Sequence, residues 1–132
     1  MHLRLGDYKK FTVLRKSTLF PISYYKNMVD YFMKSHSKCF FIFLSDEPEY
    51  IKQEFRHIDN KKISKNNRPR TDLAIINKCK AGILSPSSFS WWGAYLIKNK
   101  GIIIAPKYWL GFNSGIEFPK GGFPSFAKKV TI

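Results

Sequence analysis

The sequence predicts an α/β fold in which a parallel sheet is covered on both faces by helices, and three observations carry that reading. Short apolar runs alternate with amphipathic stretches along the 132 residues. The runs at Lys38 to Leu44 and Gly101 to Ala105 are almost continuously apolar, as expected of strands buried on both faces. Polar and charged residues collect just after these runs, where ligands bind in open parallel sheets. The length fits one domain, and the 44% hydrophobic and 17% aromatic content supports a packed core rather than disorder. The alternating pattern covers residues 1–109. Residues 110–132 read as an irregular tail, punctuated by Gly and Pro, that packs on the same domain through Phe112, Phe118, Phe123 and Phe126.

Taken in order, His2 to Leu5 read as the last residues of a strand, ended by a Gly6-Asp7 turn. Lys9 to Phe20 have mixed charge and no period, which predicts a loop. From Ile22, the apolar residues Ile22, Tyr25, Val29 and Phe32 recur every three or four positions, with Met28 and Met33 widening that face and Lys26 and Lys34 outside. After the strand ending at Leu44, Glu47-Pro48-Glu49 is a helix-start signal and Tyr50 to Phe55 continue a short helix. Lys62-Ile63-Ser64 suggests a short strand within a basic segment from Asn60 to Arg70. Thr71 can cap the next helix, with Asp72 in its first turn and Leu73, Ile76 and Cys79 inward. Ala81 to Leu84 form a strand, a serine-tryptophan helix follows to about Asn99, and the strand Gly101 to Ala105 is halted by Pro106.

On the strand-end rule, three polar clusters converge on one edge of the sheet. His2, Arg4 and Asp7 end the first strand. Ser45 and Asp46 end the second, and Ser87, Ser88, Phe89 and Ser90 occupy the turn into the helix after Ala81–Leu84, with Asp72 nearby. A helix start with unpaired N–H groups and adjacent hydroxyls is an anion site, and Arg4 adds a forked cationic contact to a phosphate. A guanine offers two N–H donors that one carboxylate accepts together, so Asp72 or Asp46 could read it. The plainer alternative is a serine cap, a tryptophan-packed helix, and two acids balancing helix dipoles.

The net charge of +14 calls for an anionic partner: nucleic acid, a nucleotide phosphate, or an acidic membrane surface. Lys61, Lys62, Lys65, Arg68 and Arg70 form a basic run without the aromatic signature of an RNA-binding sheet. Cys39 and Cys79 lack Cys-x-x-Cys spacing and read as reduced, buried thiols. The three histidines have no zinc-ligand spacing, so no metal site is expected. The glycine patterns of dinucleotide folds and P-loops are missing, as is a Gly-x-Ser-x-Gly elbow. With no signal sequence and no bilayer-length apolar run, a cytoplasmic protein is expected, soluble or peripheral on the inner face of a bacterial membrane.

Four stretches, in order, resemble the alpha-1,2-fucosyltransferases of glycosyltransferase family 11. His2-Leu3-Arg4-Leu5-Gly6-Asp7-Tyr8 is similar to the family's His-x-Arg-Arg-Gly-Asp-Tyr, and Phe43 to Glu49 to its Phe-Ser-Asp-Asp-x-Glu. Asp72-Leu73, Cys79-Lys80 and Ser87 to Ala94 resemble its Asp-Leu, Cys-Lys and Ser-Ser-Phe-Ser-Trp-Trp-Gly-Ala block, and Ala105 to Trp109 its Ala-Pro-Lys-x-Trp. The resemblance implies a Rossmann-like domain equivalent to the C-terminal, GDP-fucose-binding half of a two-domain GT-B fold. The implied reaction moves L-fucose from GDP-β-L-fucose to a galactoside 2-hydroxyl with inversion, without a metal or other cofactor. Arg4 then matches the arginine that holds the donor diphosphate, and it is the residue expected to act in catalysis. His2 lines the nucleotide site, Asp72 reads guanine, and Ser87, Ser88, Phe89 and Ser90 surround the phosphates, with Asp46 near the nucleotide. Leu5 stands where the family motif has a second arginine, and no residue of these motifs is identified as a base. Two alternatives remain: a GDP-binding remnant without transferase activity, and a basic nucleic-acid-binding domain.

Overall fold

The computed structural model describes residues 1–65, 68–98 and 100–132. Two three-stranded parallel sheets form its centre. In the first, β1 (His2–Leu3) pairs with β4 (Phe41–Ser45), which pairs with β5 (Lys61–Ile63). In the second, β6 (Gly82–Ile83) pairs with β7 (Ile103–Pro106), which pairs with β8 (Lys128–Val130). A backbone hydrogen bond, from the Ser85 N–H to the His2 carbonyl at 3.2 Å, joins the two across β1 and β6. Laid side by side through this bond, the strands follow the order 3-2-1-4-5-6 of a doubly wound, Rossmann-like sheet. The crevice of such a sheet lies where the order reverses, outside the ends of β1 and β6.

Alternate strand residues point to opposite layers, as the two-residue period of a strand requires. Phe43, Ile83 and Ile104 enter one core, which holds α1 (Ile22–Ser35) and α2 (Pro48–Glu54) through Tyr25, Val29 and Ile51. Leu44, Leu84, Ile103 and Ala105 enter the other, which holds α3 (Pro69–Lys78) and α4 (Ser88–Tyr95) through Ile76 and Ala94. Each side chain buried this way contributes about 1.5–3 kcal/mol. Helices on both sheet faces are therefore what the apolar strands required. No helix among the described residues is long and apolar enough to cross a membrane.

Several elements depart from the sequence reading. The predicted loop before Phe20 contains a hairpin, β2 (Thr12–Val13) with β3 (Lys16–Ser17). It turns through Leu14 and Arg15 at φ of 51° and 60°, where the usual signal would be Asn or Gly. Tyr24 rather than Met33 completes the inner face of α1, and Met33 is exposed. Helix α3 begins at Pro69, so Thr71 lies within its first turn instead of capping it. Helix α4 ends at Tyr95, and the expected terminus at Asn99 lies outside the described residues. Pro106 is the last residue of β7 rather than its stop. Strand β8 comes from the segment read as irregular, because Lys128-Lys129-Val130 is a short charged edge strand without alternation. Phe118 is exposed, whereas Phe112, Phe123 and Phe126 pack on the domain. Both cysteines are free thiols, but half-buried rather than buried.

Candidate nucleotide-binding edge

Strand β1 is central because Leu3 is wholly buried between layers, so the residues following it reach the crevice. Beside it, the chain leaving β6 passes through Ser85, Pro86 and Ser87 before α4 begins. Ser85 links the two. Its Oγ lies 2.9 Å from His2 Nδ1 and accepts the Arg4 N–H at 3.3 Å, while its carbonyl accepts the Ser90 hydroxyl at 2.6 Å. Arg4 and Ser90, distant in sequence, therefore share one small neighbourhood.

The serine turn divides its hydroxyls between internal and outward roles. Ser87 caps α4 by accepting the Ser90 N–H at 3.5 Å. The Ser90 hydroxyl is fully buried and donates to the carbonyls of Ser85 and Ser87, so it fixes the turn. Phe89 packs on the His2 ring with centroids 5.2 Å apart. Ser88, exposed at the first helical position, is the hydroxyl presented to solvent at the helix start. Three tyrosines support the turn from below. Tyr8 donates to the Pro86 carbonyl at 2.7 Å and Tyr24 to the Leu84 carbonyl at 3.3 Å. The fully buried Tyr25 hydroxyl lies beside Ser85 without a partner in hydrogen-bonding geometry.

Arg4 is held from two sides. Its Nε and Nη2 meet the Asp7 carboxylate at 2.9 Å each, and Nη1 lies 3.4 Å from Asp46 Oδ2. The Asp7 bond raises the Arg4 pKa and lowers that of Asp7. Asp46 in turn accepts the N–H groups of Leu5 and Gly6, both at 3.0 Å, and so clamps the chain leaving β1. A Cβ at Gly6 would stand 2.9 Å from Asp46 Oδ2, which is why glycine belongs there. Asp46 thus acts on the loop and the arginine, with both oxygens engaged. Asp72, in the first turn of α3, accepts the Ser64 hydroxyl at 2.8 Å just beyond β5.

Burial pushes His2 down to about 4, partly countered by the negative charges of Asp46 and Asp72. The ring is therefore neutral at physiological pH. The His2 Nδ1 and Ser85 Oγ atoms share one proton between them at 2.9 Å, and the same Oγ accepts the Arg4 N–H. Sequence reasoning passed over Ser85, Tyr8, Tyr24 and Tyr25. Ser85 had a usable signal, since it is the first polar residue after an apolar strand; Tyr8 and Tyr24 had none, because their partners are backbone carbonyls far along the chain. Among the described residues, no group of three or more His, Cys, Asp or Glu is placed to hold a metal ion. In the basic segment, Lys65 pairs with Glu49 at 2.5 Å and Lys61 with the Ile58 carbonyl.

A doubly wound sheet with an arginine and a capped helix start at its reversal point defines a Rossmann-like domain. The model of glycosyltransferase family 11 matches residues 1–114, and the chain belongs to that family. It is 34% identical to an alpha-1,2-colitosyltransferase of Escherichia coli, over 83% of this chain and 40% of the relative. It is 28% identical to the O-antigen biosynthesis glycosyltransferase WbnK of Escherichia coli, over 86% of this chain and 39% of the relative. Against the galactoside 2-alpha-L-fucosyltransferase SEC1 of Bos taurus, identity is 24% over 80% of this chain and 30% of the relative. The chain spans at most about 40% of the length of these relatives. No solved structure matches it.

Proposed function

We propose that the chain is the donor-binding half of an α-1,2-fucosyltransferase of GT-B architecture, binding GDP-β-L-fucose at the reversal point of its sheet. The observation that carries this reading is the meeting of Arg4 and the α4 serine turn at Ser85. In the reaction, the 2-hydroxyl oxygen of a galactoside attacks the fucose anomeric carbon from the face opposite the diphosphate. The bond from that carbon to the diphosphate oxygen breaks, GDP leaves with its electron pair, and the configuration inverts. Arg4, Ser88 and the start of α4 are the groups suited to stabilise the charge gathering on GDP. This assignment needs no metal or other cofactor. Asp72 is the proposed guanine reader, and His2 lines the same pocket. The galactoside hydroxyl proton is released to solvent as the new glycosidic bond forms. Cytoplasmic location, with peripheral contact to an anionic membrane, belongs to the same proposal and rests on the +14 charge.

Calorimetric titration of the 132-residue chain with GDP and ADP tests the reading. GDP should bind more tightly than ADP, Arg4→Ala should weaken GDP strongly, and Asp72→Ala should erase the preference for guanine. Indistinguishable GDP and ADP isotherms would defeat it. The share of its relatives that the chain spans favours a second reading for this chain acting by itself, GDP binding without transfer. Fucosylated lactose formed by the purified chain would eliminate that alternative.

A further inference from the structure

Helix α4 is apolar on every side: Ser88–Tyr95 reads Ser-Phe-Ser-Trp-Trp-Gly-Ala-Tyr, without a charged residue. A helix of that kind is ordinarily buried all round. Only one side of α4 is. Ser90, Gly93 and Ala94 face inward and are buried, with Gly93 set against Ile76 of α3. On the outer side Trp92, Tyr95 and Leu96 stand 55%, 49% and 45% exposed. Their spacing of three and four residues places them side by side on one stripe.

The stripe is braced from beneath. Trp91 stacks on Tyr95 with ring centres 5.2 Å apart and planes 16° from parallel, and it meets Trp92 edge-on at 5.0 Å. Phe126, from the segment leading into β8, packs against Trp91 at 5.5 Å. Lysines stand at the margin of this cluster. The Lys100 ammonium lies 5.6 Å from the centre of the Tyr95 ring and 5.8 Å from that of Phe126, and the Lys129 ammonium lies 4.7 Å over Phe123 in the same packed layer. From Leu73 to Ile132 the sequence has eight lysines, no arginine and one acid. That acid, Glu117, accepts the Phe123 N–H at 3.3 Å. The face is thus aromatic at its centre and cationic at its edge.

We infer that the outer face of α4 docks on an anionic lipid bilayer, with Trp92, Tyr95 and Leu96 in the headgroup layer and Lys100 and Lys129 against lipid phosphates. Tryptophan and tyrosine join an apolar body to a polar tip and suit that depth, while lysine stems follow apolar surface and keep the ammonium in water. Binding of this kind needs a modest apolar area together with attraction to anionic lipid. A second copy of the chain fits less well. A stable interface takes roughly 800 Å² from each partner, and two half-exposed aromatic side chains of about 150–250 Å² each with one leucine fall short of it. Pairing like faces would also set lysine against lysine. Single-stranded RNA stacks its bases on open aromatic faces, but Trp91 and Tyr95 stack on each other. Such docking gives a surface to the peripheral membrane contact proposed above, on which it rests, and it is independent of the nucleotide site.

Vesicle cosedimentation of the full 132-residue chain tests the face. The probes are vesicles of phosphatidylcholine alone and of equal parts phosphatidylcholine and phosphatidylglycerol. The parent should pellet with the mixed vesicles only, and its tryptophan emission should shift to the blue. Trp92→Ala should weaken that binding about tenfold, and Trp92→Phe should restore most of it. Lys100→Gln and Lys129→Gln should each weaken it about fivefold. Lys52→Gln, exposed on α2 across the sheet, should leave it within about twofold. Every variant changes an exposed side chain, so circular dichroism should match the parent. Equal losses at Lys52 and Lys100, with none at Trp92, overturn the face and leave a membrane contact made by total charge. Failure to pellet with either vesicle overturns the face and that contact together, while GDP binding in the same samples keeps the donor reading standing. A dimer in analytical ultracentrifugation that Trp92→Ala dissociates overturns the bilayer as occupant. So does an RNA oligonucleotide whose binding Trp92→Ala weakens more than it weakens vesicle binding.

Discussion

Ser85 Oγ lies 2.9 Å from His2 Nδ1, and this contact between a residue of the first strand and one just past the fourth parallel strand ties the two halves of the sheet together. The same oxygen accepts the Arg4 N–H, and the Ser85 N–H bonds the His2 carbonyl. One small side chain thus sets the ring orientation of His2 and the direction in which Arg4 leaves β1.

Replacing Ser85 with alanine strands a buried imidazole nitrogen and loosens the Arg4 backbone. A stability loss of about 1–3 kcal/mol is expected from chemical denaturation, the scale of an unsatisfied buried polar group. A midpoint equal to the parent's would show that the hub is dispensable.

His2 makes stability depend on pH. Its folded pKa of about 4 lies below the ordinary 6.5, so the unfolded chain binds more protons between those values. Stability should be fully present above pH 6.5, fall as pH drops toward 4, and lose no more from this residue below that. The integrated loss is on the order of 3 kcal/mol. Urea midpoints measured across this window should slope steeply in the parent and less in His2→Gln; parallel slopes would refute the assignment.

Asp7 competes with any anion for Arg4. The pair is exposed, 40% at the arginine and 58% at the aspartate side chain, so it is weak and replaceable. Asp7→Asn should tighten GDP binding about two- to fivefold in low-salt calorimetry, with the gain shrinking as salt rises. Weaker binding in Asp7→Asn would place the carboxylate on the ligand's side of the interaction.

Gly93 lets α4 lie against α3. A Cβ there would stand 2.8 Å from Ile76 Cδ1, inside normal contact distance. Gly93→Ala should cost about 1–3 kcal/mol, the usual penalty of overpacking, and Ile76→Ala should recover part of it in a double-mutant cycle. Additive losses would mean that the two sites are uncoupled. Because α4 carries Ser88, the single variant should also weaken GDP binding.

Periodicity and burial made most of the sheet readable in advance. The Phe41–Ser45 and Ile103–Pro106 strands announce themselves because strands buried on both faces leave a local apolar run. The β2–β3 hairpin and β8 leave no such run; one turns through Leu14-Arg15 and the other is a lysine-bearing edge. The positions of Arg4, Asp46 and the serine turn at strand ends were legible for the same local reason. Their contacts were not.

Chain order and apolar pattern alone determined that this protein is an α/β domain with polar groups at the strand ends, since both depend on residues a few positions apart. Tertiary structure decided which polar groups stay open to solvent and which fasten the fold. It turned Ser90 inward, used both Asp46 oxygens on the Leu5-Gly6 backbone, and made Ser85 the link between β1 and β6. A hydroxyl or carboxylate bonds whatever donor or acceptor the fold brings near it, and that neighbour comes from another part of the chain.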